Sequence, residues 1–431
     1  MDSDVKYLLS LCAIRERAQI VWRAAEAGEL AHFDFHADKL GDVADFVISI
    51  IQRDFGPDKY DTIPPHGRWQ HFEVGNVPRV KSMIDNWKST GTNDLELTRR
   101  LIDLFFVSVL LDAGAGDGWR FVEPETDQQY ERSEGIAVAS LYMFNSLAFT
   151  HSKAEKVPSV DGDGLKNITT EKLASGFQVS DKNPMLGINS RAALLRSLGR
   201  SLLEQPDVFG VQGRPGNLVD YMIKTAEISA ELDVHKIWDV LQTLLIPVWP
   251  KDRTTVKGFP VGDAWPLSTL QKHIDPSRPS DVTAGIQPFH KLTQWLTYSL
   301  MVPFQRILGI KWKNAESLTA LAEYRNGGLF VDLGALTLKR ESYERGLEAS
   351  GQKLPLFDAA DDVIVEWRAL TLKLLDLVYD IIASRLDEGV HLTMAQVLEA
   401  GTWKSGREIA AQRRPETKSS PILISSDGTV F

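Results

Sequence analysis

One cysteine, Cys12, occurs in 431 residues. A lone thiol excludes an internal disulfide and any zinc site assembled from cysteines. In its apolar helical stretch Cys12 is expected to be a buried structural group rather than a nucleophile. Long hydrophobic runs are also missing. The most apolar stretch, residues 104–111 (LFFVSVLL), falls far short of the roughly 18 residues needed to span a bilayer. The acidic start carries an apolar run too short for a cleaved signal peptide. Positive charge is in deficit: 48 Lys and Arg face 58 Asp and Glu, a formal charge of −10. Affinity for DNA or RNA comes largely from cations on phosphates, so this disfavours a nucleic-acid partner. Two or three placed cations still suffice for a small phosphorylated ligand. No P-loop, Gly-x-Ser-x-Gly elbow or His-Glu-x-x-His helix occurs, and there is no internal repeat or low-complexity tract. The expectation is a soluble, cytoplasmic protein with no membrane or nucleic-acid partner; no oligomeric state follows.

What is present is ordinary globular material, 43% hydrophobic and 25% charged, with 11 Trp and 18 Phe for a large core. Most apolar patterns have helical period. Helices are predicted over 5–29, 93–112, 135–149, 189–204, 218–232 with Asn217 as cap, 235–247, 288–307, 315–325 and 360–387. In the last, a broad apolar arc from Trp367 to Ile382 includes Arg368 and has Glu366 at its border. A charge there must be paired or serve a site. Strands are expected only at 329–332, 254–259 and 421–425. Stretches 54–76, 113–134, 151–188, 248–287 and 401–421 read as loops. Length alone suggests two to three domains, yet no Pro/Gly/Ser linker divides the chain. The fold class is therefore mainly α: one helical unit over 1–431 with long loop insertions, containing an N-terminal sub-domain, 1–90, and a distinct block, 285–390.

Several segments carry more polar groups than a packed core needs. Asp112-Ala-Gly-Ala-Gly-Asp-Gly118 matches a cofactor-binding glycine loop, but helical periodicity runs unbroken into it and no strand–helix alternation follows. Asp112 and Asp117 then either face a pocket or cap the next segment. In residues 287–299 (QPFHKLTQWLTYS), a helix places His290, Gln294 and Tyr298 on one face, with Lys291 and Trp295 adjoining: donors beside an aromatic plate, or a buried Trp with a solvated edge. In residues 321–334 (LAEYRNGGLFVDLG), Glu323, Arg325 and Asp332 bracket the turn-former Asn326-Gly-Gly, as a site or as a capped turn. In residues 130–136 (YERSEGI), Arg132 and Glu134 stand where Ser133 or Glu134 starts a helix. His32 with His36, and His66 with His71, lack partners for a metal site; neither metal nor cofactor is expected.

The segments HGRWQHFEVG, LIDLFFVSVLLDAGAGDGWRF, RSEGIAVASL, PFHKLTQWLTYSL, LAEYRNGGLFVDLGAL, VEWRALTLKLLD, GTWKSGREIA and SSPILISSDGTVF resemble the uracil-catabolism protein family of fungi and bacteria, long catalogued as a domain of unknown function. The resemblance covers nearly the whole chain. It implies a part in degrading uracil through a ribosylated, ring-opened form that releases urea. A second resemblance covers about a hundred residues. Phe289-His290-Lys291-x-x-Gln294, Glu323-Tyr324-Arg325, Leu333-Gly334 and Glu366-x-Arg368 are similar, in order and separation, to a block of the queuosine-5′-phosphate N-glycosidases, whose helical fold is DNA-glycosylase-like. Those enzymes carry an Asp shortly after the Lys-x-x-Gln pattern, where Ser299 stands here, so another acid must replace it.

Together the resemblances imply N-glycosidic hydrolysis of a small nucleotide-derived substrate: a ribosylurea, or its 5′-phosphate. Such cleavage develops positive charge on the sugar and needs a carboxylate facing it, and a proton donor for the leaving nitrogen. Asp332 and Glu323 are the first candidate carboxylates, Glu134 and Asp112 the next. Arg325, Lys291 and Arg368 are candidate anchors for phosphate or ribose; Trp295 and Trp119 are candidates to pack on the ligand, with His290, Gln294, Tyr298 and Arg132 lining it. Arg368 beside Glu366 reads equally as a buried structural pair. The alternatives are an amidohydrolase or deaminase on the ring-opened pyrimidine, a non-catalytic helical partner of the pathway, and, for the glycine loop, a methyltransferase.

Overall fold

The computed structural model describes residues 2–425 except 117, 152–156, 227–230, 276, 278–280 and 388. The fold is mainly helical, with short strands in two-stranded pairs. Among the described residues no helix is long and apolar enough to cross a membrane. The chain forms two compact units, and neither is continuous in sequence. Among the described residues, unit 1 comprises those within 2–66, 252–291 and 316–425, and unit 2 those within 67–251 and 292–315.

Unit 1 is built on the 24-residue helix Asp362–Arg385. Leu11–Ala27, Leu40–Phe55 and Tyr324–Asp332 pack against it. Strand pairs tie distant segments together: Phe33–Phe35 runs antiparallel to Leu336–Leu338, Ala264–Pro266 antiparallel to Ile286–Pro288, and Leu356–Asp358 parallel to Leu423–Ser425. The last pair bears out the predicted strand near the C-terminus, and Thr255–Val256 pairs with Phe259–Pro260 in the other predicted strand region.

Tyr324–Asp332 corrects two expectations. Residues 329–332 are the end of a helix, not a strand, and Asn326-Gly-Gly is helix interior, not a turn. The glycines are there for close packing. A Cβ on Gly327 would sit 2.8 Å from Trp367, and one on Gly328 3.0 Å from Pro421. The helix predicted over 315–325 shrinks to one tight turn, Ala315–Ser317, because Glu323 is the cap from which Tyr324–Asp332 starts. The expected loop 401–421 contains the helix Trp403–Arg413, whose Gly406 meets the Arg325 carbonyl so closely that no Cβ fits. Helix 5–29 is broken at residues 9–10, where Ser10 caps Leu11–Ala27. Cys12 is exposed, not buried, and its thiol donates to Glu16 at 2.8 Å.

Unit 2 centres on Asp94–Leu110, buried on nearly every face from Leu101 onward. Residues 107–110 are helical, so the strand that a cofactor loop requires is absent and the methyltransferase reading falls. Asp117 lies outside the described residues. Arg132–Asn145, Ile188–Leu203 and Leu218–Thr225 pack on this helix. The helix predicted over 218–232 stops at Thr225, and Asn217 makes no capping bond because it sits in a tight turn with helical dihedrals. Residues 227–230 are outside the description, and Glu231–Asp233 pairs in parallel with Lys311–Lys313. Leu40–Phe55 in unit 1 and Arg79–Ser89 in unit 2 went unread in the sequence.

A carboxyl group sits inside the unit 2 core. Asp103 is fully buried, accepting from Arg214 Nε at 2.8 Å and from the Gly216 N–H at 2.7 Å. Arg214 also reaches Glu96 at 2.9 Å. Gly216 lies so near the Arg99 carbonyl that a Cβ would sit 2.6 Å from it, so the 214–217 turn is docked by one carboxylate and one missing side chain. Removing one partner of a buried pair strands the other. Asp103→Ala should therefore lower the stability of unit 2 by about 3 kcal/mol. A urea denaturation series reads this; an unmoved transition refutes the docking role.

Candidate functional site

In unit 2, Arg68 opens the short helix Arg68–Phe72 and is fully buried. A buried guanidinium must satisfy its five N–H donors inside the protein. Arg68 Nε donates to Ser108 Oγ at 2.7 Å, Nη2 to the Ser108 carbonyl at 3.0 Å, and Nη1 to the Ser133 carbonyl at 3.1 Å. Nη1 also lies 3.2 Å from Asp112 and 3.2 Å from His71 Nδ1. The guanidinium carbon stands 5.3 Å from the centre of the Trp295 ring. Burial lowers the pKa of Arg68, and the charges of Asp112 and Glu134 oppose that. Its backbone N–H donates to Ser299 Oγ at 3.0 Å, and Gly67 makes room, since a Cβ there would meet Ser299 at 3.3 Å.

Asp112 is half-buried at the end of Asp94–Leu110, where the glycine loop begins. A second buried cation fixes that loop. Arg191 donates to the carbonyls of Leu111, Ala113, Gly114 and Leu186, with no carboxylate in ion-pair contact among the described residues. Desolvation pulls its pKa down to about 10. Glu134, also half-buried, lies in the first turn of Arg132–Asn145. The cluster therefore holds two sequence-predicted carboxylates, Asp112 and Glu134, and one predicted aromatic, Trp295, around an arginine that was not singled out. The signal for it was the run Gly67-Arg-Trp-Gln-His71, noted for its flanking histidines and as part of a family-like segment, but not for Arg68 itself.

Other expected unit 2 residues do different work. Trp119 is core: its indole N–H donates to the Phe177 carbonyl at 2.9 Å. Gln294 and Tyr298 are buried. Arg132, with φ +54°, starts its helix in a half-buried position.

In unit 1, Arg368 makes a two-point pair with Asp263, at 2.8 and 2.9 Å. The Phe289 ring lies 3.9 Å from the guanidinium carbon. Asp263 also accepts from the Trp265 indole at 2.7 Å and from the Lys291 N–H at 2.9 Å. Although buried, its carboxyl is held well below the usual range; desolvation raises it, and Arg368 with these donors outweighs that. The expected Arg368–Glu366 pairing is corrected. Glu366 accepts from the N–H groups of Ala31 and His32 and from Thr269, while Arg368 pairs with Asp263. His290, with φ +46°, stands outside the helix Lys291–Leu308, so it does not share a helical face with Gln294 and Tyr298. It is buried, bonds the Leu8 carbonyl through Nε2 at 2.8 Å, and burial lowers its pKa, favouring the neutral ring.

Glu323 uses both carboxylate oxygens as the cap of Tyr324–Asp332, accepting from the N–H groups of Arg325 and Asn326. Arg325 donates to the Lys418 carbonyl at 2.8 Å and stacks on Tyr324. Asp332 is gripped by Arg414 through both oxygens. These two acids hold helix ends, whereas Asp112 pairs with a buried cation and Glu134 adjoins Ser133, whose carbonyl accepts from the same arginine. Among the described residues no group of three or more His, Cys, Asp or Glu is placed to hold a metal ion.

A family model described as a protein of unknown function (DUF1688) matches residues 7–431. Protein urg3 of Schizosaccharomyces pombe is 50% identical over 430 residues, 99% of each chain. Uracil catabolism protein 4 of Lachancea kluyveri is 44% identical over 445 residues, covering 100% of each chain. The resemblance to the uracil-catabolism family is thus borne out.

The Asp263–Arg368 pair makes an acid limb. A carboxyl depressed in the folded state adds stability above its unfolded pKa, near 3.8, and loses it as pH falls below that value. The unit 1 melting temperature should therefore drop as pH is lowered below about 4. Asp263→Asn should flatten that limb and cost about 3–5 kcal/mol at neutral pH, since Arg368 is left buried and unpaired. Melts across pH test this; an acid limb equally steep in the variant contradicts it.

Proposed function

The chain belongs to the DUF1688 family, and from that membership and the Arg68 cluster we propose that it acts in uracil catabolism. The reaction we propose is hydrolysis of the N-glycosidic bond of a ribosylurea, or of its 5′-phosphate, to urea and ribose or ribose phosphate. Full-length likeness to a protein named for uracil catabolism supports the pathway. The glycosidase-like block in the sequence supports the reaction.

One observation carries the site. The resemblance expects a carboxylate where Ser299 stands. Ser299 is bonded to the N–H of Arg68, and the side chain of that arginine holds Asp112. Asp112 is thus the acid that serves in its place. It faces the positive charge that grows on the anomeric carbon and takes a proton from the attacking water. The water oxygen bonds to that carbon as the carbon–nitrogen bond breaks. Glu134 gives a proton to the departing urea nitrogen, a poor leaving group without one. Arg68 keeps Asp112 in place, and Trp295, covered by the guanidinium, positions Arg68 rather than touching substrate.

Purified protein incubated with ribosylurea and, separately, with its 5′-phosphate should release urea from at least one; none from either overturns the reading. Asp112→Asn and Glu134→Gln should each slow release by about 10²–10⁴-fold, with folding checked by melting. Asp332→Asn should act chiefly on stability. An unchanged rate in Asp112→Asn removes it from the reaction.

A further inference from the structure

The helix Ile188–Leu203 has two working faces. Its buried side carries Arg191, which locks the Asp112 loop. On the other side Ser190, Ser197, Arg200 and Glu204 recur at helical spacing along one wall of a cleft of about 590 Å³. The opposite wall is residues 247–251, including Trp249 and Lys251. The volume lies in the range of small-molecule sites, about 300–1,000 Å³.

The chemistry of this lining is mixed in an informative way. Arg200 and Lys251 are exposed cations; Arg200 gives one N–H to Ser197 Oγ at 2.9 Å, and neither has an ion-pair carboxylate among the described residues. Two cations converging on one cleft suit a phosphate. Trp249 is half-buried, and with the prolines beside it offers a plate for a flat ring. Glu204, an exposed acceptor, together with the serine hydroxyls suits sugar hydroxyls. A planar ring, a polyol and a phosphate in one molecule of this size describe a nucleotide.

We propose that this cleft binds a free nucleoside monophosphate, at a site separate from the Arg68 cluster. The ring stacks on Trp249, the phosphate lies between Arg200 and Lys251, and the ribose faces Ser190 and Glu204. The inference does not depend on the proposed glycosidase reaction.

Calorimetric titration of the full chain with uridine and adenosine 5′-monophosphates tests it, with uridine and inorganic phosphate as controls. At least one nucleotide should bind saturably and more tightly than either fragment, and should quench fluorescence that Trp249→Phe removes. Arg200→Ala and Lys251→Ala, both at exposed positions, should each weaken binding by about tenfold, with unchanged melting. Asp112→Asn should leave binding intact. No saturable binding of either nucleotide overturns the proposal. So does affinity unchanged in both cation variants, or loss of binding in Asp112→Asn, which would put the ligand in the other cluster.

Discussion

A guanidinium taken out of water must find partners for all its donors, and this constraint organises both units. Arg68 and Arg191 are fully buried, and Arg368 nearly so. Each collects carbonyls or carboxylates from segments far apart in sequence. Arg191 draws in four carbonyls around the glycine loop. Arg368 joins the long helix to Asp263, and through it to the Trp265 indole and the start of Lys291–Leu308. Such pairs add little stability compared with a well-packed apolar substitute, but breaking one is expensive. They act as registry pins: loops that no strand or helix would hold are held by the need to solvate an arginine.

The same constraint sorts the acids. A carboxylate that meets a helix start or an arginine fork with both oxygens has its geometry fixed by that structure. Glu323, Asp263 and Asp332 are in this position, and Glu366 is fixed likewise by the N–H groups of Ala31 and His32. Asp112 lies 3.2 Å from Arg68 Nη1, and its side chain is about as buried as those of Asp263 and Asp332. The two classes look alike in sequence, since both are acids beside apolar flanks.

The fold class and the principal helices were legible because helical period is a local signal. So was the C-terminal strand; Arg368 was legible as a member of a buried pair, but its partner is Asp263 and not Glu366. What failed depended on distant partners. Asn326-Gly-Gly reads locally as a turn; only Trp367 and Pro421 show that its glycines serve close approach. Residues 401–421 read as a loop because Gly and polar residues interrupt the pattern, and the reason for Gly406 is the Arg325 backbone. At the candidate site, Asp112, Glu134 and Trp295 were named from sequence. Their meeting point, Arg68, was not, because an arginine next to a tryptophan gives no local sign of complete burial.

The division of labour within the glycosidase-like block follows from this. Phe289, the Lys291 N–H and Arg368 converge on Asp263 in unit 1, where they make an ion-paired core rather than an open acid site. The residue of the block that departs from the pattern, Ser299, is the one whose hydroxyl meets Arg68. There Ser299 Oγ meets the backbone of Arg68, whereas the side chain of Arg68 meets Asp112, so the two contacts are made by different ends of one residue.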